Sequence, residues 1–291
     1  MAYRFKSGDA SATEALRRIA AEEFAAIGAA LADKTLPLPR KVHEGRKATK
    51  RLRALIRLVA PVFPEAREEI DALRDAAARL SALRDKGALA ETLARLDLPD
   101  DAAASLTAAL GTRRTASAAA QKRLLATFAE DMDAAAARAR TWTLTQTGWE
   151  ALARGLHRSH RRFRKTLDAA RRAKDEEPVH EFRKRAKDHW YQTLLLRGAF
   201  PEVMDGYAAA AERLCDDLGD WRDLGLLEAA VLGVPAHRLA KPDAAAALTL
   251  IAKARRRALR RAFRTARRLS HETPRAYTAR LAAWSGKRRG A

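Results

Sequence analysis

Hydrophobic residues recur along this chain three or four positions apart, which is the spacing of an amphipathic α-helix. In the first half, this pattern predicts helices over about residues 12–32, 40–59, 65–82 and 102–137. Prolines and glycines are sparse and fall mostly between these segments, where they are typical of chain breaks. Since alanine, the strongest helix former, supplies about half of the apolar residues, we predict an all-α fold.

The second half repeats this plan after one stretch that lacks helical periodicity, TWTLTQTGW at residues 141–149. We interpret that stretch as a hinge between the two halves. Beyond it, the pattern predicts helices over about residues 150–174, 178–198, 203–232, 244–270 and 274–284. The last six residues, GKRRGA, are expected to form a basic tail.

An internal repeat supports the division into halves. The segment VHEGRKATKR at residues 42–51 returns as VHEFRKRAKD at residues 179–188, so the frame V-H-E-x-R-K-x-x-K occurs twice, 137 residues apart. VFPE at residues 62–65 matches AFPE at residues 199–202 with the same offset. Ordered matches of this kind indicate a duplication, with about four helices in each bundle. The predicted division is a first bundle at residues 1–140, a hinge at 141–149, a second bundle at 150–285 and a tail at 286–291.

On a helix, the first copy of the motif divides into an apolar face and a cationic face. At 100° per residue, Leu52, Leu55 and Ile56 fall opposite His43. The cations share the face of His43, which is about 120° wide, and they are Arg46, Lys47, Lys50, Arg53 and Arg57. The corresponding stripe of the second copy contains His180, Arg183, Lys184 and Lys187. It is shorter, because Trp190 and Leu194 stand where the first copy has Arg53 and Arg57.

Cationic stripes recur on other predicted helices. One carries Arg158, Arg161, Arg164 and Lys165, another carries Arg256, Arg257, Arg260 and Arg264, and the repeat adds Arg113 and Arg114 in the first half. The chain has 57 lysines and arginines against 36 acidic residues, a net charge of +21, which indicates a polyanion, a nucleic acid or an acidic membrane surface as partner. A single basic helix is often only a solvated face. Recurrence in register, with few acids four positions away, favours an anion-binding surface.

The two motif histidines have alternative interpretations. His43 and His180 either cap and pack the start of a helix, or they contact an anion whose charge would favour the protonated ring. A metal site is disfavoured, because the cations around His43 repel a metal ion and few carboxylates lie nearby. We therefore expect no metal and no cofactor.

Several classes of protein are disfavoured by the sequence. The single cysteine, Cys215, rules out an intramolecular disulfide and fits a cytoplasmic location. No run of about 20 apolar residues is present, so we expect no membrane span, and no apolar core of a secretory signal is visible. Phosphoryl-transfer enzymes need acidic metal ligands beside the phosphate, and the stripes carry no such cluster. We therefore expect a binding protein and not an enzyme.

These residues resemble the CHAD family, the conserved histidine α-helical domain. The resemblance is carried by the two V-H-E-x-R-K-x-x-K segments, by L-x-x-x-R-D beginning at Leu80 and Leu218, and by the basic helix that follows in each half. It covers about residues 10–285. It implies two four-helix bundles related by a pseudo-twofold axis, whose basic faces line a central pore or groove.

The resemblance also implies a function. The family binds inorganic polyphosphate and associates with polyphosphate granules, so we expect non-enzymatic polyphosphate binding through a Lys/Arg/His-lined groove, with targeting to such granules. The alternative is a nucleic-acid-binding protein that uses the same basic surface without sequence specificity. The basic faces carry few aromatic residues, which favours polyphosphate, because single-strand nucleic-acid binders stack bases on aromatic rings.

Overall fold

A computed structural model of the chain describes residues 3–83, 87–111, 117–173, 175–235 and 237–286. Within these ranges the chain forms eleven α-helices and no β-strand, so the all-α prediction is confirmed. The helices are α1 (Ala12–Ala32), α2 (Leu38–Val59), α3 (Ala66–Arg79), α4 (Gly87–Ala94), α5 (Asp100–Leu110), α6 (Ala118–Ala139), α7 (Glu150–Arg172), α8 (Glu177–Leu195), α9 (Pro201–Leu232), α10 (Lys241–Leu269) and α11 (Pro274–Ser285). Short 3₁₀ turns follow α2, α3 and α8 at Ala60–Val62, Leu80–Leu83 and Arg197–Ala199.

Capping residues explain why α1 begins where the sequence predicts. The Ser11 side chain accepts a hydrogen bond from the Glu14 amide at 3.0 Å, and the Glu14 carboxylate accepts one from the Ala10 amide at 2.7 Å. The first bond satisfies an amide that the helix itself leaves without an acceptor, and the second fixes the chain just before the helix begins. α2 begins at Leu38, because Pro39 fits the first turn, where no amide donor is needed.

The predicted single helix over residues 102–137 is wrong. The structure has two helices there, because α5 ends at Leu110 and α6 begins at Ala118. Residues 112–116 between them lie outside the described ranges. Ser117 caps α6 by accepting a hydrogen bond from the Ala120 amide at 3.2 Å. The sequence pattern also fails to predict α4, because a helix of eight residues is too short to show a period.

The chain divides into two compact units. Unit 1 comprises Met1–Leu83, Ala116–Glu212 and Arg267–Ala291, and unit 2 comprises Arg84–Thr115 and Arg213–Ala266. Each unit therefore draws on both halves of the sequence, and both motif helices, α2 and α8, lie in unit 1. The repeat boundaries that follow from the duplication stay a prediction.

α2 is surrounded by other helices of unit 1. It packs against α1, α3, α7 and α8, and its apolar face is completely buried at Leu52, Leu55 and Ile56. Burial of each such side chain stabilises the fold by about 1.5–3 kcal/mol. Because α7 and α8 also cover this helix, its later cations Arg53 and Arg57 are half-buried instead of solvated.

The segment at residues 141–149 connects α6 to α7 without helical structure, as predicted. It is fixed to unit 1 by several contacts. Trp142 is buried against Phe63 with ring centroids 5.3 Å apart, and Arg17 Nε donates to the Trp142 carbonyl at 2.7 Å. The Thr145 amide donates to the Val62 carbonyl at 2.9 Å. This segment is therefore fixed to unit 1, with Trp142 in the core and most of its other residues exposed.

Unit 2 contains α4, α5 and segments of α9 and α10. Its core includes Leu106, Leu227, Ala247 and Ile251, all completely buried. Across the ranges given above, no helix combines the length and the apolar character that crossing a lipid bilayer requires.

Two histidines that the sequence pattern does not single out are buried in unit 1. The rings of His160 on α7 and His189 on α8 have centroids 5.7 Å apart. His160 stacks on Tyr277 at 4.2 Å, and His189 stacks on Phe163 at 4.5 Å. Burial lowers the pKa of both rings, and together with the nearby His160 it lowers the pKa of His189 to about 3. Both rings are therefore neutral in the folded protein at pH 7.

We predict that Gly155→Ala severely destabilises the protein. Gly155 lies where α7 crosses α2, and an added Cβ would stand 1.6 Å from the Leu58 carbonyl oxygen. Backbone cannot yield as a flexible side chain can, so we expect a loss of about 3 kcal/mol or more in the free energy of unfolding. Gly28→Ala is the control, because Gly28 lies inside α1 with no heavy atom within 4 Å. Urea unfolding should show Gly28→Ala unchanged or stabilised by about 0.5–1 kcal/mol. Equal effects of the two substitutions on the free energy of unfolding would contradict the close crossing of α7 and α2.

We predict that stability falls as the pH drops below about 6.5, partly through His189. A histidine whose pKa is lower in the folded state takes up its proton mainly in the unfolded chain, so its contribution is complete above pH 6.5 and is lost toward pH 3. The loss between pH 7 and pH 5 is about 2 kcal/mol for this group. Thermal unfolding of His189→Phe should therefore depend less on pH than the wild type, whereas the exposed-site variant His271→Gln should not differ from it. If the unfolding temperatures of the wild type and His189→Phe changed equally with pH, protonation of His189 would not be a cause of the loss of stability in acid.

Candidate anion-binding site

The two copies of the motif lie on helices that pack against each other, α2 and α8. In both copies the leading valine, Val42 or Val179, is buried, and the cations lie on the partly exposed side. Gln192 on α8 joins the helices by donating from Nε2 to the Ala54 carbonyl at 3.2 Å. The structure therefore brings the two copies together within unit 1.

Several cations of the α2 motif contact groups of the protein itself. Arg46 Nη1 donates to the Ala77 carbonyl on α3 at 3.1 Å, and Lys47 Nζ lies 3.5 Å from a Glu44 carboxylate oxygen. His43 is exposed, but partial desolvation lowers its pKa, an effect that Lys47 and Lys50 strengthen and Glu44 opposes. An anion beside His43 would act in the opposite direction and raise that pKa.

Cations of the α8 motif also lie beside partners on their own helix. His180 Nε2 is 3.7 Å from Glu176, and Lys184 Nζ is 3.2 Å from Glu181. Lys187 Nζ stands 4.5 Å above the ring of Trp190, a cation–π contact. Arg183 is half-buried. The second stripe is therefore more nearly neutralised than its sequence suggests.

A buried carboxylate joins the two motif helices. Asp188 on α8 is only 7% exposed at its side chain, and its Oδ1 accepts a hydrogen bond from Arg57 Nη1 on α2 at 2.8 Å. Its other oxygen lies 3.0 Å from Arg185 Nη1. Hydrogen bonds between ionised groups are stronger than those between neutral groups, and the difference increases where the groups are partly buried. Arg57, predicted as a ligand-binding residue, is thus also part of an internal ion pair.

Arginines from three helices lie near Asp188, and together with Arg158, which neighbours one of them on α7, we term them the arginine cluster: Arg53 and Arg57 of α2, Arg158 and Arg162 of α7, and Arg185 of α8. Burial, and then repulsion by Arg57, lowers the pKa of Arg53 to about 10. Burial, and then repulsion by Arg185 and Arg158, lowers the pKa of Arg162. Arg53 Nε is buried without a hydrogen-bond acceptor among the described residues. Among the described residues, the acids that pair with the arginine cluster are Asp188 and Glu181. Two carboxylates do not neutralise five arginines, so the cluster keeps a net positive charge.

The outer face of α7 extends the cluster along unit 1. It forms an open groove of about 550 Å³ whose lining consists of Ala153, Arg154, His157, Arg158, Arg161 and Arg162. No acidic residue is among them. Six cations of α7 form no side-chain hydrogen bond or ion pair with any residue in the described ranges, and they are Arg154, Arg158, Arg161, Arg162, Arg164 and Lys165. Like charges at helical neighbours cost a few tenths of a kcal/mol per pair, so helix stability does not explain this row.

The remaining predicted residues lie elsewhere. Arg256, Arg257, Arg260 and Arg264 are exposed on α10 within unit 2. Arg113 and Arg114 lie outside the described residues. Of the predicted set, the structure therefore gathers the residues of α2, α7 and α8 in unit 1, and those of α10 belong to the other unit.

Sequence reasoning misses Asp188, Arg162, Arg185, Arg154 and His157. Arg154 and His157 could have been found, because Arg154 precedes Arg158 by four positions and His157 precedes Arg161 by four positions, which is helical spacing. Asp188 and Arg185 could not, since both belong to the second motif helix and their role depends on where α2 lies. Arg162 is likewise brought to the cluster by the packing of α7 against α2 and α8.

Comparison with known proteins is consistent with this architecture. The profile of the CHAD domain matches residues 10–232. The structure is similar to the crystal structure of the CHAD domain from the plant Ricinus communis, with 21% sequence identity, a TM-score of 0.53, and coverage of 98% of this chain and 96% of that chain. At this identity the likeness establishes the fold alone. A search of curated proteins gave no match. Since the profile covers more than half of the chain and carries the repeated motif, this protein belongs to the CHAD domain family.

Proposed function

We propose that this protein binds inorganic polyphosphate and does not hydrolyse it. The observation that carries the proposal is the groove on α7, which is lined by four arginines and a histidine and by no acid, next to the under-neutralised arginine cluster. The CHAD family is associated with polyphosphate binding in general, which supports the same ligand.

The chemistry of the groove suits a string of phosphates. A guanidinium presents two parallel donors that match two phosphate oxygens, and each such bond between ionised groups contributes about 1.5–3 kcal/mol. The groove contains no aromatic platform larger than the His157 imidazole, whereas single-strand nucleic-acid binders gain about 1–3 kcal/mol per base from stacking. Polyphosphate is therefore favoured over nucleic acid, the alternative ligand for this surface.

Within this proposal, the motif cations have two roles. Arg46 and Arg57 hold α2 against α3 and α8 through their internal contacts, and Lys187 lies over the Trp190 ring of its own helix. His43, Lys47 and Lys184 reach the surface and extend the positive field around the groove. Catalysis of phosphoryl transfer typically needs acidic metal ligands beside the phosphate, and the groove supplies none, which is why we propose binding alone.

The finer architecture is also part of the proposal. We propose that the chain arose by duplication into two bundles related by a pseudo-twofold axis around a basic groove. The repeated motif supports this, as does the packing of its two copies, α2 and α8, against each other. Polyphosphate binding in the cytoplasm, including on polyphosphate granules, follows as the proposed setting.

We predict that the affinity for polyphosphate falls steeply with salt. Binding through many ion pairs releases counterions, so the dissociation constant should rise at least about tenfold between 50 and 200 mM NaCl. Fluorescence anisotropy with labelled polyphosphate of defined length measures this. An oligonucleotide of equal charge should displace the label only at much higher concentration. Salt-independent binding would contradict the electrostatic proposal, and easier displacement by the oligonucleotide would favour the nucleic-acid alternative.

We predict that Asp188→Asn makes the stability of the protein depend on polyphosphate. Without this carboxylate the arginine cluster loses its bridging counter-charge, which in a buried pair costs about 3–5 kcal/mol and lowers the unfolding temperature by roughly 5–10 °C. An added polyanion replaces that charge, so polyphosphate should raise the unfolding temperature more in the variant than in the wild type.

Asp205→Asn is the matched control, because Asp205 also pairs with an arginine of unit 1, Arg197, but on the surface. Its thermal unfolding should stay close to that of the wild type, with and without polyphosphate. If polyphosphate stabilises Asp188→Asn no more than Asp205→Asn, the cluster is not near the bound anion.

A further inference from the structure

A row of cations on α10 repeats the spacing of the row on α7. We define the α7 row as Arg154, Arg158, Arg161 and Lys165, and the α10 row as Lys253, Arg257, Arg260 and Arg264. Both rows have the spacing i, i+4, i+7 and i+11, so each follows one helical face for about 16 Å. All eight side chains are exposed. Arg256 occupies the place in the α10 row that His157 occupies beside the α7 row.

The α10 row is left without counter-charges although acids are close by in unit 2. Two other arginines of the same helix take those acids, because Arg255 pairs with Glu228 and Arg261 Nε lies 2.7 Å from Asp217. The four members of the α10 row form no ion pair or side-chain hydrogen bond with any residue of the described ranges. Arg257 lines a small cavity with Asp220, but Asp220 pairs with Arg95 at 3.0 Å.

The opposite face of α10 explains why the helix tolerates this row. Ile251, Ala258 and Ala262 are completely or almost completely buried, so packing of that face holds the helix in place. Repulsion within the row opposes helix formation by a few tenths of a kcal/mol per neighbouring pair. An anion bound along the row would remove that repulsion, as on α7.

From these observations we propose that the α10 row is a second polyphosphate site, separate from the one in unit 1, so that one protein molecule holds two chains or two segments of different chains. The inference rests on the proposed function and adds the number of polyphosphate chains that one protein molecule binds. The rows belong to different compact units, and the four cations of each row form no ion pair with the residues that the structure describes. A bivalent protein links long chains into a network, whereas a protein with one site only coats them.

The inference is tested by counting sites with a labelled polyphosphate chain short enough to cover one row. Isothermal titration should give two chains per wild-type protein at low salt. Changing the four residues of the α10 row to glutamine should leave one chain per protein, and so should the same change to the α7 row. With long polyphosphate, light scattering should rise for the wild type and stay at baseline for either variant. The control variant carries Lys34→Gln, Arg67→Gln, Lys122→Gln and Arg123→Gln, which remove the same charge from exposed sites on other segments.

The possible results separate the inference from the proposed function. No binding by the wild type overturns the proposed function. One chain per wild-type protein, lost in either row variant, overturns the second site and leaves the proposed function standing. If the α10 variant still binds two chains, the α10 row is not the second site. The same conclusion follows if the control variant loses a chain. Equal competition by an oligonucleotide at the α10 row overturns the choice of polyphosphate there.

Discussion

The bridge that Asp188 makes between α2 and α8 is the interaction on which the site depends. Arginines from three helices lie around this one carboxylate, and two of them bond to its two oxygens. Without such a counter-charge, repulsion would oppose the packing that buries the apolar face of α2. The protein thus balances two needs at one place: enough negative charge to hold the helices together, and enough positive charge left over to attract an anion.

Cations that look alike in the sequence therefore differ in what they do. Most of the motif cations are engaged by nearby groups, such as Glu181 for Lys184 and the Ala77 carbonyl for Arg46. The rows on α7 and α10 lack such partners within the described residues. We infer that the motif mainly builds and orients the two helices, and that the open rows meet the ligand. The most conspicuous motif in the sequence therefore need not contain the residues that contact the ligand most strongly.

Helical period, breaks and caps were enough to predict most of the fold, as α1 shows with both ends correct. α5 and α6 were predicted as one alanine-rich helix, although Gly111 after α5 and Ser117, the cap of α6, mark the break in the sequence. The cationic faces of α2, α7 and α8 were also predictable from spacing. Their neutralisation was not, because Asp188 reaches Arg57 from 131 positions away and only tertiary packing brings them together. For the same reason, the buried pair of His160 and His189 carries no signal in the sequence.

The decisive measurement is a crystal structure of the protein with a short polyphosphate bound. We expect phosphates within hydrogen-bond distance of Arg154, Arg158 and Arg161, with Asp188 still bonded to Arg57 and Arg185. Phosphates that lie away from α7, or that displace Asp188 from both arginines, would contradict it.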